Sequence, residues 1–256
     1  MTINQAFEIL ARHGGIRAAH VITENAPSLS RISVWRMARA LRRGVPVAKI
    51  IHKKWFYGLQ FYTNRHTLDP RPDTETLVDA VISEYGANAK LNILDLGTGT
   101  GCIIAALLKN MPDAHGTATD VSRRALRVAR YNMHSLGLCH RMRLVRHNFN
   151  NSYNFAKRFD IIISNPPYIA HGDTRVNPGA MHDPRLALYA KNNGMAAYES
   201  IAKNALDWIC PDGKIYVEIG DGAGSDVRNI FKKYGWTFNQ SYNDLSGIER
   251  VLVFKK

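Results

Sequence analysis

"LNILDLGTGTGCIIAALLKN", residues 91–110, decides how the chain folds. "LNILDL" has the length and apolarity of a buried strand, and "GCIIAALLKN" reads as an apolar helix stopped by Pro112. Between them, Gly97, Gly99 and Gly101 allow a sharp turn and close backbone approach to a ligand. The helix N-terminus behind them adds N–H groups suited to an anion. A phosphate-binding P-loop needs Gly-Lys-Ser/Thr, but Cys102 and Ile103 follow the last glycine. The G-x-G-x-G spacing also misses the G-x-G-x-x-G dinucleotide fingerprint. A ligand joining a small carboxylate to a nucleoside fits better, and S-adenosylmethionine is one.

Strand and helix patterns alternate on either side. "HGTATD" (115–120) is a strand, and "SRRALRVARYNMHSLG" (122–137) a helix capped by Ser122 and ended by Gly137. "MRLVRH" (142–147) and "FDIIIS" (159–164) are strands, "GMAAYESIAKNALDWI" (194–209) a helix, "GKIYVEIG" (213–220) a strand and "GSDVRNIFKKYG" (224–235) a helix. "WTFNQSYND" (236–244) and "ERVLVFKK" (249–256) close the chain as a helix-free pair, so one antiparallel strand is expected in an otherwise parallel sheet. The expected architecture is α/β and Rossmann-like, with seven strands. Before it, residues 1 to about 50 read as helical pieces, including "SVWRMARALRRG" with Ser33 as N-cap. "WFYGLQFYT" and "HTLD" suggest an aromatic hairpin, and Asp73 an N-cap for the helix that follows. Two domains are expected: 1–70, small, basic and helical with a hairpin, and 71–256, the α/β domain.

"IIISNPPYIA" (161–170) carries the chemistry. Asn165 and Pro166 each precede a proline and are driven toward extended backbone, while Pro166 and Pro167 carry no N–H. The corner is stiff and presents acceptors. The Asn165 side-chain oxygen and the Pro166 carbonyl can converge on a planar NH2 group, and Tyr168 offers a flat face to its substrate. At the end of the preceding strand pair, Asp120 can accept both hydroxyls of a ribose. Together these predict an amino group held beside a methyl donor, with Asn165, Pro166, Pro167 and Tyr168 orienting the nitrogen rather than deprotonating it.

Composition narrows the rest. The chain has 256 residues, 45% hydrophobic, with a formal charge of +13. Residues 1–70 hold eleven Lys/Arg against three acids, which suggests an acidic partner such as RNA or a ribosome-associated surface. Three scattered cysteines fit a reducing compartment and neither a disulfide framework nor a metal site. The N-terminus lacks the apolar segment of a secretory signal, no run is long enough for a membrane span, and a cytoplasmic location is expected. The four tryptophans read as core and the histidines as surface or loop residues.

"DLGTGTG" with "SNPPYI" resembles amino-methyltransferases in general. "LDPRPDTE" (68–75), "DPRLAL" (183–188), "NNGM" (192–195), "DLSGIERVLV" (244–253) and "GVPVAKIIHKKWFYGLQFYTN" (44–64) extend this to a specific resemblance to HemK/PrmC-type protein-(glutamine-N5) methyltransferases. The resemblance implies a class I methyltransferase fold that uses S-adenosylmethionine to methylate the glutamine of the Gly-Gly-Gln motif in class-1 peptide chain release factors. It implies that Gly97, Thr98, Gly99, Thr100 and Gly101 hold the methionine end of the cofactor, Asp120 its ribose, and Asn148 and Phe149 its adenine. Asn165 to Tyr168 would hold the glutamine amide, with Asn165 bordering cofactor and substrate alike. The segment Arg71 to Glu75 would lie near the cleft. Departures from the family pattern are Asp69 for an apolar residue, Asn148 for Asp, Met181 for Arg and Asp183 for Glu. Three other readings share these features: a nucleic-acid methyltransferase acting on adenine N6 or guanine N2, a ribosomal-protein methyltransferase, and a non-catalytic ribosome-associated protein.

Overall fold

The structure is a computed structural model that describes residues 1–173 and 178–256. Two helices open the chain. α1 (Ile3–Asn25) is capped by Thr2 and kinked where Gly15 takes φ 81°, and α2 (Arg31–Arg42) starts at a Ser30 cap. Ser30 rather than Ser33 accepts the capping N–H, so the helix begins three residues ahead of the sequence expectation. With the short α3 (Val47–Ile51) they bury Ala6, Leu10, Ala19, Ile22, Val34, Ala38 and Ile51 in a small core of their own.

β1 (Lys53–Phe56) and β2 (Leu59–Tyr62) form the hairpin, while "HTLD" lies outside it. Tyr57 and Gly58 both take positive φ, 50° and 70°, which gives the twist a two-residue hairpin loop needs. The strained Tyr57 is held from α4 (Glu75–Tyr85): its N–H donates to Glu75 Oε1 at 2.7 Å and its hydroxyl to Asp79 Oδ1 at 2.6 Å. Phe56 and Phe61 send the hairpin's apolar face into the main core. Asp73 does not cap α4, because Pro72–Thr74 forms a 3-10 turn leading into it.

The main sheet follows as β3 (Asn92–Leu96), α5 (Cys102–Asn110), β4 (His115–Asp120), α6 (Arg123–Ser135), β5 (Met142–Arg146) and β6 (Phe159–Ser164). A short parallel pair, β7 (Ile169–Ala170) and β8 (Tyr189–Ala190), flanks α7 (Arg185–Leu188). Then come α8 (Ala196–Trp208), β9 (Ile209–Glu218), α9 (Gly224–Lys233), β10 (Thr237–Asn243) and β11 (Glu249–Lys255). The seven strands lie in the order β10-β11-β9-β6-β3-β4-β5, and β11 alone runs opposite to the other six.

Alternate residues of each central strand feed opposite faces. Ile93, Ile161, Ile163, Tyr216, Val251 and Val253 meet α4, α5 and the hairpin. Leu94, Leu96, Ile162, Ile215, Val217, Leu252 and Phe254 meet α8 and α9. Burial on both faces explains why these strands read as unbroken apolar runs. Trp208 and Trp236 sit in the core, but Trp35 and Trp55 are exposed, at 53% and 64%. His147 is buried among Tyr153, Phe155 and Trp208, contrary to the surface reading of the histidines. Among the described residues, no helix is long and apolar enough to cross a membrane.

Candidate active site

The order of the strands reverses between β3 and β6, and the crevice beyond the carboxyl ends of such strands is where open α/β sheets take ligands. Both motifs lie there. Asp95 is in register with Ile163, and Ser164 Oγ donates to Leu96 O at 2.8 Å, so the glycine turn and the Asn165 corner leave adjacent strands side by side.

Gly97, Gly99 and Gly101 take φ of 77°, 56° and 80°. Gly97 and Thr98 N–H donate to Thr119 O at 2.9 and 2.8 Å, Gly101 N–H to Thr98 O at 2.8 Å, and Gly99 N–H to Asp120 Oδ2 at 3.0 Å. Four amides of the loop are thus used within the protein, which yields a rigid floor rather than the open row of donors that the sequence suggests. The side chains of Thr98 and Thr100 are buried, and Thr98 Oγ1 donates to Asp95 Oδ2 at 2.6 Å. Asn132, buried on α6, donates to Thr100 O at 2.9 Å and to Tyr62 O at 3.0 Å, and accepts Tyr62 N–H at 2.8 Å. It joins the loop to the hairpin.

Asp120 accepts N–H groups from Gly99 and Ser122 and keeps further lone pairs on both oxygens. Burial raises its carboxyl above the ordinary range, and those two N–H groups pull it back. A Cβ placed on Gly97 would stand 3.8 Å from the Phe149 ring, so that ring lies against the glycine turn. Asn148 Oδ1 accepts Asn150 N–H at 3.1 Å, a local turn that shapes the loop beneath Phe149. Asp95 is a residue the sequence reading passed over. It is 1% exposed, its Oδ1 has no hydrogen-bond partner among the described residues, and burial pushes it up to about 7 against the pull of Thr98. An acid with a vacant acceptor, a ribose-competent carboxylate and an aromatic ring around one glycine turn suit S-adenosylmethionine, with its ammonium, ribose and adenine.

At the corner, Pro166 is buried and Asn165 half-buried, and Asn165 Nδ2 donates to Thr74 Oγ1 at 3.1 Å. The segment before α4 therefore does adjoin the corner. Tyr168 rests on Gly220, where a Cβ would stand 3.0 Å from the ring. Burial raises its phenol well above the ordinary value. The "NNGM" turn explains itself here. Asn192, Asn193 and Gly194 all take positive φ, and a Cβ on Gly194 would come within 2.2 Å of Tyr168 O. Glu218, at the end of β9, is 2% exposed, and its Oε2 has no hydrogen-bond partner among the described residues. Burial pushes it up to about 7, and Thr74, Arg250 and Asn165 draw it down. Cys102 has its thiol pushed up to about 12 by burial, as a packed residue rather than a nucleophile. An acid inside an apolar strand run, in "NILDLG" and in "IYVEIG", is the signal that marks Asp95 and Glu218.

The methyltransferase small domain family model matches residues 71–182, a span that holds both the glycine turn and the corner. A release factor glutamine methyltransferase of Agrobacterium fabrum is 36% identical over 94% of this chain and 83% of its own length. The chain belongs to the release factor glutamine methyltransferase family. Bifunctional methyltransferases are similar too, that of Rickettsia prowazekii being 35% identical over 91% of this chain, and the chain spans about half their length, 49% in that case. A methyltransferase structure from Pyrococcus furiosus shares the fold, with TM-score 0.57 at 20% identity over 86% of this chain and 96% of its own. As a member of the release factor glutamine methyltransferase family, the chain departs from the family pattern where the structure gives a local reason. Asp69 accepts from Lys49 Nζ at 3.1 Å and from Thr63 Oγ1 at 2.6 Å. Asp183 faces Lys49 at 2.7 Å and accepts from Arg71 Nη2 at 2.7 Å, and Met181 is an exposed side chain.

Proposed function

We propose that this chain transfers a methyl group from S-adenosylmethionine to the side-chain amide nitrogen of a protein glutamine, in the Gly-Gly-Gln motif of a class-1 release factor. The observation that carries the reading is the commitment of Asn165 Nδ2 to Thr74. With its donor end engaged, Asn165 has its Oδ1 left to accept, beside the Pro166 carbonyl. Two acceptors match the two N–H bonds of an amide. The cofactor, when bound, supplies an electrophilic methyl on sulfur and a thioether leaving group. Asn165 and Pro166 turn the nitrogen toward it and stabilise the positive charge that grows as the C–N bond forms, and the methylated nitrogen then gives up one of its two protons to solvent. The glycine turn, Asp120 and Phe149 hold the donor, and Tyr168 shields the corner.

The test is labelled cofactor incubated with release factor or with RNA. Label in the Gly-Gly-Gln peptide is expected, and Asn165→Ala abolishes it while cofactor binding by calorimetry persists. Label in RNA alone overturns the acceptor in favour of an adenine or guanine amino group. Absence of cofactor binding favours a non-catalytic protein.

The same reading divides the chain into a docking unit, residues 1–70, and a transfer unit, residues 71–256. A cavity of about 660 Å3 on the first is lined by His13, Arg31, Trp35, Arg39 and Arg42 and supports contact with an acidic macromolecular face, RNA included. Charge reversal at Arg31 and Arg39 is expected to weaken partner binding and its salt dependence, leaving cofactor affinity unchanged.

A further inference from the structure

We propose that the face formed by α6, β5 and the β1–β2 hairpin binds single-stranded RNA, with the α6 arginines on its phosphates and a ladder of His52, Tyr62 and Tyr131 against its bases. This site does not depend on which acceptor the Asn165 corner takes.

Positive charge is concentrated on this face. Residues 121–159 hold nine Lys/Arg and no Asp or Glu. α6 carries Arg123, Arg124, Arg127 and Arg130, all exposed, with no acid on the same helix. Among the described residues, none of the four is in an ion pair. Arg123, Arg127, Arg130 and His134 recur at i, i+4, i+7 and i+11, so they line one stripe about 16 Å long. Like charges three and four residues apart weaken a helix, so folding does not call for this stripe. β5, the edge strand of the sheet, adds Arg143 and Arg146, both exposed. Discouraging edge-to-edge pairing is reason enough for charges on β5, but not for those on α6.

The aromatic ladder stands beside the stripe. Tyr131 follows Arg127 by four residues and is 58% exposed. Its ring centroid lies 5.0 Å from that of Tyr62, which in turn lies 5.4 Å from that of His52, with those two planes 28° apart. The ladder is held in place: Asn132 accepts from Tyr62 N–H and donates to Tyr62 O, and His52 Nδ1 is 3.0 Å from Thr63 O. Beside His52 opens a cavity of about 380 Å3, lined also by Arg65, His66 and His182 and by no acid. Rings take bases whatever their sequence, and guanidinium groups fork onto phosphates, so this pairing of ladder and stripe suits an unpaired strand. An acidic protein face would use the cations alone. RNA is favoured over DNA because RNA is recognised chiefly through unpaired, splayed bases.

The experiment measures binding of fluorescently labelled dodecauridine to the full chain by anisotropy, from about 50 to 200 mM salt. The triple variant Arg123→Gln, Arg127→Gln, Arg130→Gln is expected to reduce the slope of log affinity against log salt by about 2, at about 0.7 per phosphate contact. Replacing the same three by Lys should keep most of the slope. Tyr131→Ala should weaken binding about tenfold with the slope unchanged. A matched triple on α9 and β11, Lys232→Gln, Lys233→Gln, Lys255→Gln, should bind as the parent does. If that control lowers the slope equally, attraction is diffuse and the site is overturned. It is also overturned if the arginine triple binds as the parent, or if only Arg31→Gln with Arg39→Gln abolishes binding. A parent that ignores dodecauridine, while the arginine triple loses affinity for release factor, makes the face a protein contact instead. Tighter binding of dodecathymidine overturns the choice of RNA. Should the arginine triple fail to fold, Arg127→Gln, with an expected slope change of about 0.7, and Tyr131→Ala decide.

Discussion

Lys49→Met tests whether the buried charge cluster under the hairpin holds the first 70 residues to the sheet. The Lys49 side chain is 4% exposed, and its three protons go to Asn64 O at 3.0 Å, Thr67 O at 2.8 Å and Asp69 Oδ1 at 3.1 Å. Asp183 Oδ1 lies 2.7 Å away as a second ion-pair partner. Methionine keeps the stem and removes the charge, leaving Asp69 with Thr63 and Asp183 with Arg71. Removing one partner from a buried ion pair costs about 3–5 kcal/mol. At about 2–4 °C per kcal/mol for a chain of this length, the melting temperature should drop by roughly 6–20 °C. Lys49→Met with Asp69→Leu removes a buried charge of each sign, so it should recover much of the loss instead of adding to it. Equilibrium denaturant unfolding of both singles and the double gives the coupling energy. A Lys49→Met protein within about 1 kcal/mol of the parent, or strictly additive singles, would refute this account of the cluster.

Asn132→Ala strips three hydrogen bonds from the hairpin and the glycine turn and is expected to cost about 2–4 kcal/mol in denaturant unfolding; a loss under about 0.5 kcal/mol contradicts the link. Gly101→Ala combines φ 80° with a Cβ 2.8 Å from Met133 Cε, whereas Gly137→Ala meets only φ 70° and open space. Both should lose about 1–2 kcal/mol from backbone strain, and Gly101→Ala more, together with cofactor-induced thermal stabilisation; equal losses would show that the close approach is immaterial. Burial keeps protons on Asp95 and Glu218 up to about 7 in the folded chain, while unfolded carboxyls release theirs near 4. The folded state binds more protons across that window, so this contribution is fully present below about pH 4 and is lost as pH rises through about 7, by about 1.4 kcal/mol per unit per group. Asp95→Asn with Glu218→Gln should flatten that decline in stability measured against pH, and an unaltered slope would count against the burial of these acids.

The fold was legible because its signals are local. Strand–glycine–helix spacing, apolar runs of strand length and Ser122 as a cap depend on neighbours in sequence, and the helix-free final pair foretold the antiparallel β11. The stiffness expected of the corner comes from the same kind of local signal, since proline geometry is written into the residues that carry it. What the sequence could not decide is pairing over long separations. The Asn165 to Thr74 bond spans 91 positions, and the Arg71 to Asp183 bond spans 112. Asp69 looked like a blemish until Lys49 stood beside it, and Trp35 and Trp55 looked like core until the helices and hairpin turned them outward. Composition records how much a side chain prefers burial. Only the packed chain decides which charge meets it there and which end of an amide is left facing out.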